Sequence, residues 1–370
     1  MGEAAAAFGT RAFLITGAGL AEDEDLTERV CCELLTREVD FTTFPLTDVG
    51  PDIAVVDSAA ESCAEARCDC LIGLGQAGVI DTAKLVSVVR GHDVDSIRPF
   101  VVGERGVEAK GPPLVAVPTV AVTGAEITST ALVTDPANGV RWSLSHPYLA
   151  PDNVVMDTEL TLSAPPELTA AAGIGAFAFA LEAFVSSRSN ELTDMFALEA
   201  VRLIGQNLLC AVRDGTNMEA RTAMCLAAYL AGAAATGARP GVANMIAPAL
   251  QMALGTHYGE AVAMLLPASI EFNRDHAKDK YATVVDLLAA NVRPGARGLL
   301  ELLAALYEDI GLTDAIARLK MDYGIIEETL NSVAKSEARA SANPRPVDRA
   351  GLVRILRHTR EHIQRRSASR

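Results

Sequence analysis

The change of texture at Pro165-Pro166 constrains this chain more than any other feature. Ahead of it, short apolar and β-rich runs at residues 12–16, 40–44, 70–74 and 114–117 read as strands, and the stretches at 26–36 and 82–89 read as helices. Strands alternating with helices imply βαβ units and a parallel sheet. Behind it, Ala-, Leu- and Met-rich runs with helical periodicity continue to the C-terminus, broken at 237–241, Gly255, 291–298 and 342–346. With 370 residues the chain is long enough to build two cores. The expected architecture is therefore an α/β domain over residues 1–164 and an all-helical domain over 165–370. The basic tail at 354–370 reads as a solvated last helix.

An excess of acid, 47 Asp and Glu against 32 Lys and Arg, gives a net charge of -15. That argues against nucleic acid and anionic membranes as partners, because both need a basic face. With half of its residues hydrophobic, the chain is not a disordered one. The apolar stretches at 226–235 and 245–254 fall short of the roughly 18 residues of a membrane span and read as buried helices. The N-terminus carries Glu3 where a secretion signal has basic charge, so a cytoplasmic protein is expected. Seven cysteines, an odd number, then read as free thiols. Cys63, Cys68 and Cys70 cluster, but their spacing matches no common zinc template.

Two turns carry chemistry. Ile72-Gly73-Leu74-Gly75-Gln76-Ala77-Gly78-Val79-Ile80-Asp81-Thr82-Ala83-Lys84 runs from a buried strand through small residues straight into a helix. Such a turn brings peptide N–H groups at the positive end of a helix close to a docked pyrophosphate. It also occurs simply for tight strand–helix packing, and both readings stand. The second turn, Pro118-Thr119-Val120-Ala121-Val122-Thr123-Gly124-Ala125-Glu126-Ile127-Thr128, follows the strand at 114–117. Its hydroxyls at 119, 123 and 128 suit a ribose or phosphate at a strand's carboxyl end, with a plain Thr-rich turn as the other reading.

These turns, together with residues 157–160, 168–182, 241–248, 258–259, 265–267 and Asn343-Pro344-Arg345, resemble in order the motifs of the iron-containing alcohol dehydrogenase family, relatives of glycerol dehydrogenase and dehydroquinate synthase. The resemblance spans nearly the whole chain. It implies a Rossmann-like parallel-sheet nucleotide-binding domain, an all-helical domain and an active cleft between them. In the family a divalent iron or zinc sits on an Asp and three His, and another His relays protons. Carried over residue by residue, the Asp falls on Gly175 and the His four positions later on Phe179. The next His falls on Asn244, the relay His on Pro248 and the His of the P-H-G motif on Tyr258. Gly and Phe offer no donor atom, Asn is a weak ligand and a neutral phenol a poor one, so no metal is expected. His257 lies one position off, and one imidazole does not make a site. The family's G-G-G-S turn is here Gly75-Gln76-Ala77-Gly78, where two side chains narrow the approach to a pyrophosphate. Gly17 stands where many members carry an Asp for the adenosine ribose; its loss goes with NADP in the family and removes repulsion of a 2′-phosphate.

What the resemblance implies is a metal-independent NAD(P)-dependent oxidoreductase acting on a small carbonyl or alcohol. The cofactor, with NADP slightly preferred over NAD, falls to Gly17, Gly75, Gln76, Ala77, Gly78, Asp81, Thr119, Val120, Thr123, Thr128 and Arg141. Tyr258 or His257 serves as proton donor and Asn244 as the amide that orients substrate, with Thr123 beside them. Their hydrogen bonds replace the oxyanion stabilisation that a metal gives. Arg239 reads either as an anchor for a carboxylate or phosphate or as a surface charge at a helix start. Two alternatives stand beside this: lyase, cyclase or isomerase chemistry on the same scaffold, or a catalytically silent homologue in which Phe179 and Tyr258 plug the old site. The expected partners are a small-molecule substrate and a second copy of the chain in a homodimer.

Overall fold

The computed structural model describes residues 1–17, 24–46, 50–121, 124–289, 291–335 and 342–368. The chain divides into two units, one of residues 1–120 and 125–160, the other of 161–370 with Ala121 and Gly124. The first unit runs α1 (Gly2–Ala6), β1 (Arg11–Gly17), α2 (Glu24–Leu35), β2 (Asp40–Leu46), α3 (Ile53–Glu65), β3 (Cys70–Gly75), α4 (Ala77–His92), α5 (Arg98–Val101), β4 (Leu114–Pro118), β5 (Thr130–Asp135), β6 (Val140–Ser145) and β7 (Asn153–Val154). Five of these strands form a parallel sheet in the order β2-β1-β3-β4-β7, with Ile15 of β1 beside Phe44 of β2 and Gly73 of β3.

Alternation along the strands feeds two cores. Phe13, Ile15 and Leu71 point to the face where α3 and α4 supply Val56, Ala59, Ala60, Val86 and Val89. Leu14, Ile72, Leu74, Val115 and Val117 point to the other, covered by Val30 and Leu34 of α2. Because both faces are covered, all six residues of β3 are buried, which is why it reads as an unbroken apolar run. At Gly73 a Cβ would lie 3.2 Å from the Ala83 Cβ, so the absent side chain lets α4 settle closely on β3.

Several elements of this unit are missing from the sequence reading, the β5–β6 hairpin and α3 among them. The antiparallel hairpin β5–β6 turns at Asn138-Gly139, with Gly139 at φ +60° and Asn138 Nδ2 donating to Asp135 Oδ2 at 2.8 Å. Helix α3 starts at Asp52, whose Oδ1 accepts the Val55 N–H at 2.7 Å.

The second unit is helical among its described residues. It comprises α6 (Pro166–Val185), α7 (Glu191–Arg213), α8 (Met218–Ala238), α9 (Val242–Leu254), α10 (Tyr258–Asn273), α11 (Lys278–Leu288), α12 (Ala296–Asp309), α13 (Leu312–Arg318), α14 (Tyr323–Lys335) and α15 (Arg349–Ala368). By length and apolarity α6 and α7 pass for membrane spans, a feature that the stretches singled out at 226–235 and 245–254 do not capture. Core burial accounts for the composition of α6: from Thr169 to Val185 every residue but Phe179 is buried. The last helix also departs from the solvated one expected, since Ile355, Leu356, Thr359 and Ile363 are buried along one face while Arg354 and Arg357 stay exposed.

Candidate active site

The start of α9 organises the polar interior of the helical unit. The first N–H groups of a helix have no partner within it, and buried ones need acceptors from elsewhere. Here the Val242 N–H donates to Asn343 Oδ1 at 3.2 Å, the Ala243 N–H to Glu182 Oε1 at 2.9 Å and the Asn244 N–H to Glu182 Oε2 at 3.0 Å. Glu182 comes from α6 and is almost wholly buried; its negative charge suits the positive end of α9. Burial pushes its carboxyl above the ordinary range, and the bonds donated by Asn244, Ala243 and Ser269 pull the other way. The cap leaves no room for a side chain at Gly241, where a Cβ would lie 2.9 Å from Asn343 Oδ1 and 3.0 Å from Glu182 Cδ. Asn343 is held by a reciprocal amide pair with Asn273, at 2.8 and 3.0 Å, and by donating to the Arg345 carbonyl at 2.6 Å.

One turn into α9, the buried Asn244 links this cap to α10. Its Nδ2 donates to Glu182 Oε2 at 2.7 Å and to the Ala178 carbonyl at 3.3 Å, and its Oδ1 accepts the Tyr258 hydroxyl at 2.5 Å. Tyr258, the first residue of α10, is half-buried, and its ring centroid lies 6.0 Å from that of Phe179. Gly259 allows α10 this close to α6, since a Cβ there would fall 2.0 Å from the Ala171 carbonyl oxygen. Phe179, Asn244 and Tyr258 thus meet where α6, α9 and α10 converge, and the spacing between Asn244 and Tyr258 becomes a hydrogen bond. Gly175 is buried on α6 one turn before Phe179. His257 is exposed just ahead of α10, its backbone N–H donating to Glu260 Oε2 at 3.2 Å. Thr123 lies outside the described residues. Arg239 is exposed and holds φ +59°, ψ 136° at the end of α8.

This donor set does not fit a first-row metal. Gly175 and Phe179 contribute nothing, the Asn244 carbonyl oxygen is engaged by Tyr258, and its NH2 faces a carboxylate. Among the described residues no group of three or more His, Cys, Asp or Glu is arranged to hold a metal ion.

In the α/β unit the strand order places a switch point between β1 and β3: the chain steps from β1 to β2 on one side and on to β3 on the other. Ligands of open α/β sheets bind outside the strand carboxyl ends at such a point, and here those ends are Gly17 and Gly75. A Cβ on Gly75 would lie 2.6 Å from Val79 Cγ2, so glycine is required for α4 to start so abruptly. Gln76 caps α4 and is exposed, and Ala77 and Gly78 form its half-buried first turn. The Thr119 N–H donates to the Gly75 carbonyl at 3.1 Å, tying the two turns together; Thr119 and Val120 are half-buried. A glycine turn opening a helix at the switch point fits a dinucleotide pyrophosphate. At Gly17 a Cβ would make only ordinary contact, 3.7 Å from Val79 Cγ2, so packing does not demand a glycine there.

The side chains of Asp81 and Thr128, singled out for the cofactor, are engaged within the α/β unit itself. The Lys84 ammonium donates to the Thr128 carbonyl at 2.9 Å, the Thr128 hydroxyl at 3.2 Å and the Thr130 carbonyl at 2.9 Å. Asp81 Oδ1 lies 3.9 Å from it, and Asp81 Oδ2 accepts the Leu132 N–H at 3.1 Å. Asp81 and Lys84 thus form a strut from α4 to β5. Burial pushes the Asp81 carboxyl up and the Lys84 ammonium down to about 8. Arg141 sits half-buried on β6 against Gly50, where a Cβ would lie 3.3 Å from its Nη2. Glu182, Ser269, Asn273 and Asn343 were not singled out from the sequence, although Glu182 and Asn343 stand inside its quoted motifs. All seven cysteines are free.

Residues 1–158 match the family model described as iron-containing alcohol dehydrogenase, and residues 169–360 match that for the Fe-containing alcohol dehydrogenase family, C-terminal. Sulfoacetaldehyde reductase of Bilophila wadsworthia is 28% identical, covering 94% of this chain and 91% of its own length. NAD-dependent methanol dehydrogenase of Bacillus methanolicus is also 28% identical, covering 94% and 92%. Among solved structures, alcohol dehydrogenase from Oenococcus oeni superposes with a TM-score of 0.89 at 26% identity, covering 97% of this chain and 94% of that one.

Proposed function

The chain belongs to the iron-containing alcohol dehydrogenase family, and from that premise we propose that it moves a hydride between a nicotinamide dinucleotide and a small alcohol or carbonyl compound without using a metal ion. Similarity to a sulfoacetaldehyde reductase and an NAD-dependent methanol dehydrogenase supports the redox class. The observation that carries the metal-free reading is the hydrogen bond of 2.5 Å between Tyr258 and Asn244, two positions at which the family resemblance puts metal-binding histidines. Their polar atoms are committed to each other and to Glu182, an arrangement that handles protons instead of a cation.

The backbone at Gly75 to Gly78 and the positive end of α4 hold the pyrophosphate, with Thr119 and Val120 flanking it. When bound, the nicotinamide supplies the hydride acceptor or donor. Tyr258 exchanges a hydrogen bond with the substrate oxygen, and Asn244 orients the phenol. Gly17 presents no carboxylate to a 2′-phosphate, which supports a slight preference for NADPH over NADH. Seven free thiols support a reducing, cytoplasmic setting.

Elemental analysis of the purified protein should give far less than one iron or zinc per chain, with activity unchanged by chelators. Near one metal per chain would overturn the metal-free reading. Titration with NADPH and NADH, followed by nicotinamide fluorescence, should show binding of both; binding of neither would remove the redox assignment. Equal or tighter NADH binding would remove the NADPH preference alone.

A further inference from the structure

Helix α3 ends in a turn that presses two cysteines together. After Glu65 the chain passes through Ala66 to Arg67, which takes the left-handed conformation at φ 52°. The Arg67 N–H donates to the Ala64 carbonyl at 3.0 Å, and the Cys68 N–H to the Cys63 carbonyl at 3.2 Å. This pair of bonds is the Schellman closure of a helix, which sets the side chains of its first and sixth residues against each other, ordinarily as an apolar contact. Here both are thiols. Cys63 is buried in the core that α3 and α4 share, half-buried Cys68 packs against that core, and the two side chains are hydrogen-bonded. The two members differ. The bond to Cys68 and burial push the Cys63 thiol up, so it keeps its proton and donates. The same bond holds Cys68 below the ordinary thiol range, helped by Arg11 and Thr42 and opposed by burial and Asp69. Cys70, buried at the start of β3, is pushed up by burial to about 12 and stays a thiol.

We propose that Cys63 and Cys68 are a reversible modification site for hydrogen peroxide: Cys68, reachable from solvent, is oxidised first, and Cys63 behind it closes an intramolecular disulfide. The Cys68 thiolate attacks one peroxide oxygen; the S–O bond forms, the O–O bond breaks, and the departing hydroxide takes a proton from solvent to become water. The Cys63 sulfur then attacks the sulfenic sulfur of Cys68; the S–S bond forms, the S–O bond breaks, and hydroxide leaves with the Cys63 proton as a second water. Two electrons pass from the sulfurs to one peroxide. A disulfide needs Cα atoms about 4.4–6.8 Å apart, and the bond of 3.2 Å from the Cys68 N–H to the Cys63 carbonyl keeps the two main chains close enough for that span. A dithiol reductant restores both thiols by exchange.

The test treats the full, folded, reduced chain with equimolar hydrogen peroxide, alkylates the remaining thiols and digests with trypsin without reduction. Cleavage after Arg67 leaves Cys63 in peptide 38–67 and Cys68 with Cys70 in peptide 68–84, so the bridge joins two peptides that are otherwise separate. Mass spectrometry should show the joined pair at the expense of both free peptides, with the bond on Cys68 and Cys70 alkylated, and dithiothreitol should abolish it. Cys63→Ser should stop at the sulfenic acid, trapped by dimedone on Cys68; Cys68→Ser should leave Cys63 alkylated, and Cys70→Ser should keep the bridge. Exposure alone would favour Cys32 and Cys210 instead. Oxidation there while peptides 38–67 and 68–84 stay free would overturn the proposal, as would a bond at Cys70 or a bridge that forms only when the chain is unfolded before treatment. A wild-type bridge without a dimedone adduct in Cys63→Ser would overturn the assignment of Cys68 as the thiol oxidised first. The wild-type digest carries the test by itself if a variant does not fold.

Discussion

Two residues separate on exposure alone. Tyr258 lies half-buried in the cluster with Asn244 and Phe179, whereas His257 is exposed one position earlier. Tyr258→Phe should therefore lower kcat by about 10²–10⁴-fold with a smaller change in KM, the range for a general acid–base group, while His257→Ala costs less. A nearly unchanged kcat in active Tyr258→Phe would make the ring a plug for the old metal space. Lys84 yields a prediction of a different kind. Burial lowers its folded pKa to about 8 from 10.5, so between these values the unfolded chain binds a proton that the folded chain does not. Stability supplied through this group must then rise with pH across that window, by up to about 3 kcal/mol. Urea unfolding at pH 7.5 and 10 should show wild type gaining on Lys84→Met; a gap that narrows with rising pH would contradict the assignment. The positions of Tyr258 and Asn244 were legible because their spacing survives in the sequence. The roles of Glu182 and Asn343 were not, because they cap α9 from 61 and 101 residues away and leave no local pattern.

Element by element, legibility followed how much of a pattern is local. Strands β1, β3 and β4 were readable as apolar runs because a parallel sheet covered on both faces needs them, whereas the edge strand β2, largely unburied, was readable only from its β-prone Phe and Thr residues. The β5–β6 hairpin carried its own signal in Asn138-Gly139 and in the alternating burial of β5, but the Thr-rich stretch before it draws attention to ligand chemistry instead. Helix α6 was hard to read by amphipathicity, since a helix buried nearly all round has no polar face. Its companion α9 depends on distant caps, and that dependence can be measured. Asn343→Ala removes the acceptor of the Val242 N–H and the partner of Asn273, leaving two buried amide groups unmatched. A loss of about 2–6 kcal/mol is expected at roughly 1–3 kcal/mol per stranded group. Gly241→Ala should cost about 1–3 kcal/mol by overpacking the same cap. Denaturant midpoints within about 0.5 kcal/mol of wild type for both variants would show that α9 does not need the cap.

Among the described residues each unit has a core of its own: clusters on both faces of the sheet in one, with a small further one of Ile80, Ala116 and Ala125, and a large cluster around α6 in the other. Separate cores allow separate cooperative transitions, so heating need not unfold the chain in one step. The turn proposed to hold the dinucleotide belongs to the α/β unit, where β3 runs into α4. A ligand that binds only the folded form stabilises it by about 2.7 kcal/mol at one hundred times its Kd. For a unit of this size that corresponds to roughly 5–10 °C. Calorimetry with saturating NADH should accordingly raise the transition of the α/β unit by that amount. Hydrogen exchange identifies which transition it is, through slowed exchange in peptides covering residues 70–92, the strand and helix that flank the turn. Protection confined to the helical unit, with residues 70–92 unchanged, would place the dinucleotide away from the Gly75 turn. Slowed exchange at 70–92 together with peptides around Asn244 and Tyr258 would instead show that the cofactor's binding energy also reaches the residues proposed to handle the substrate.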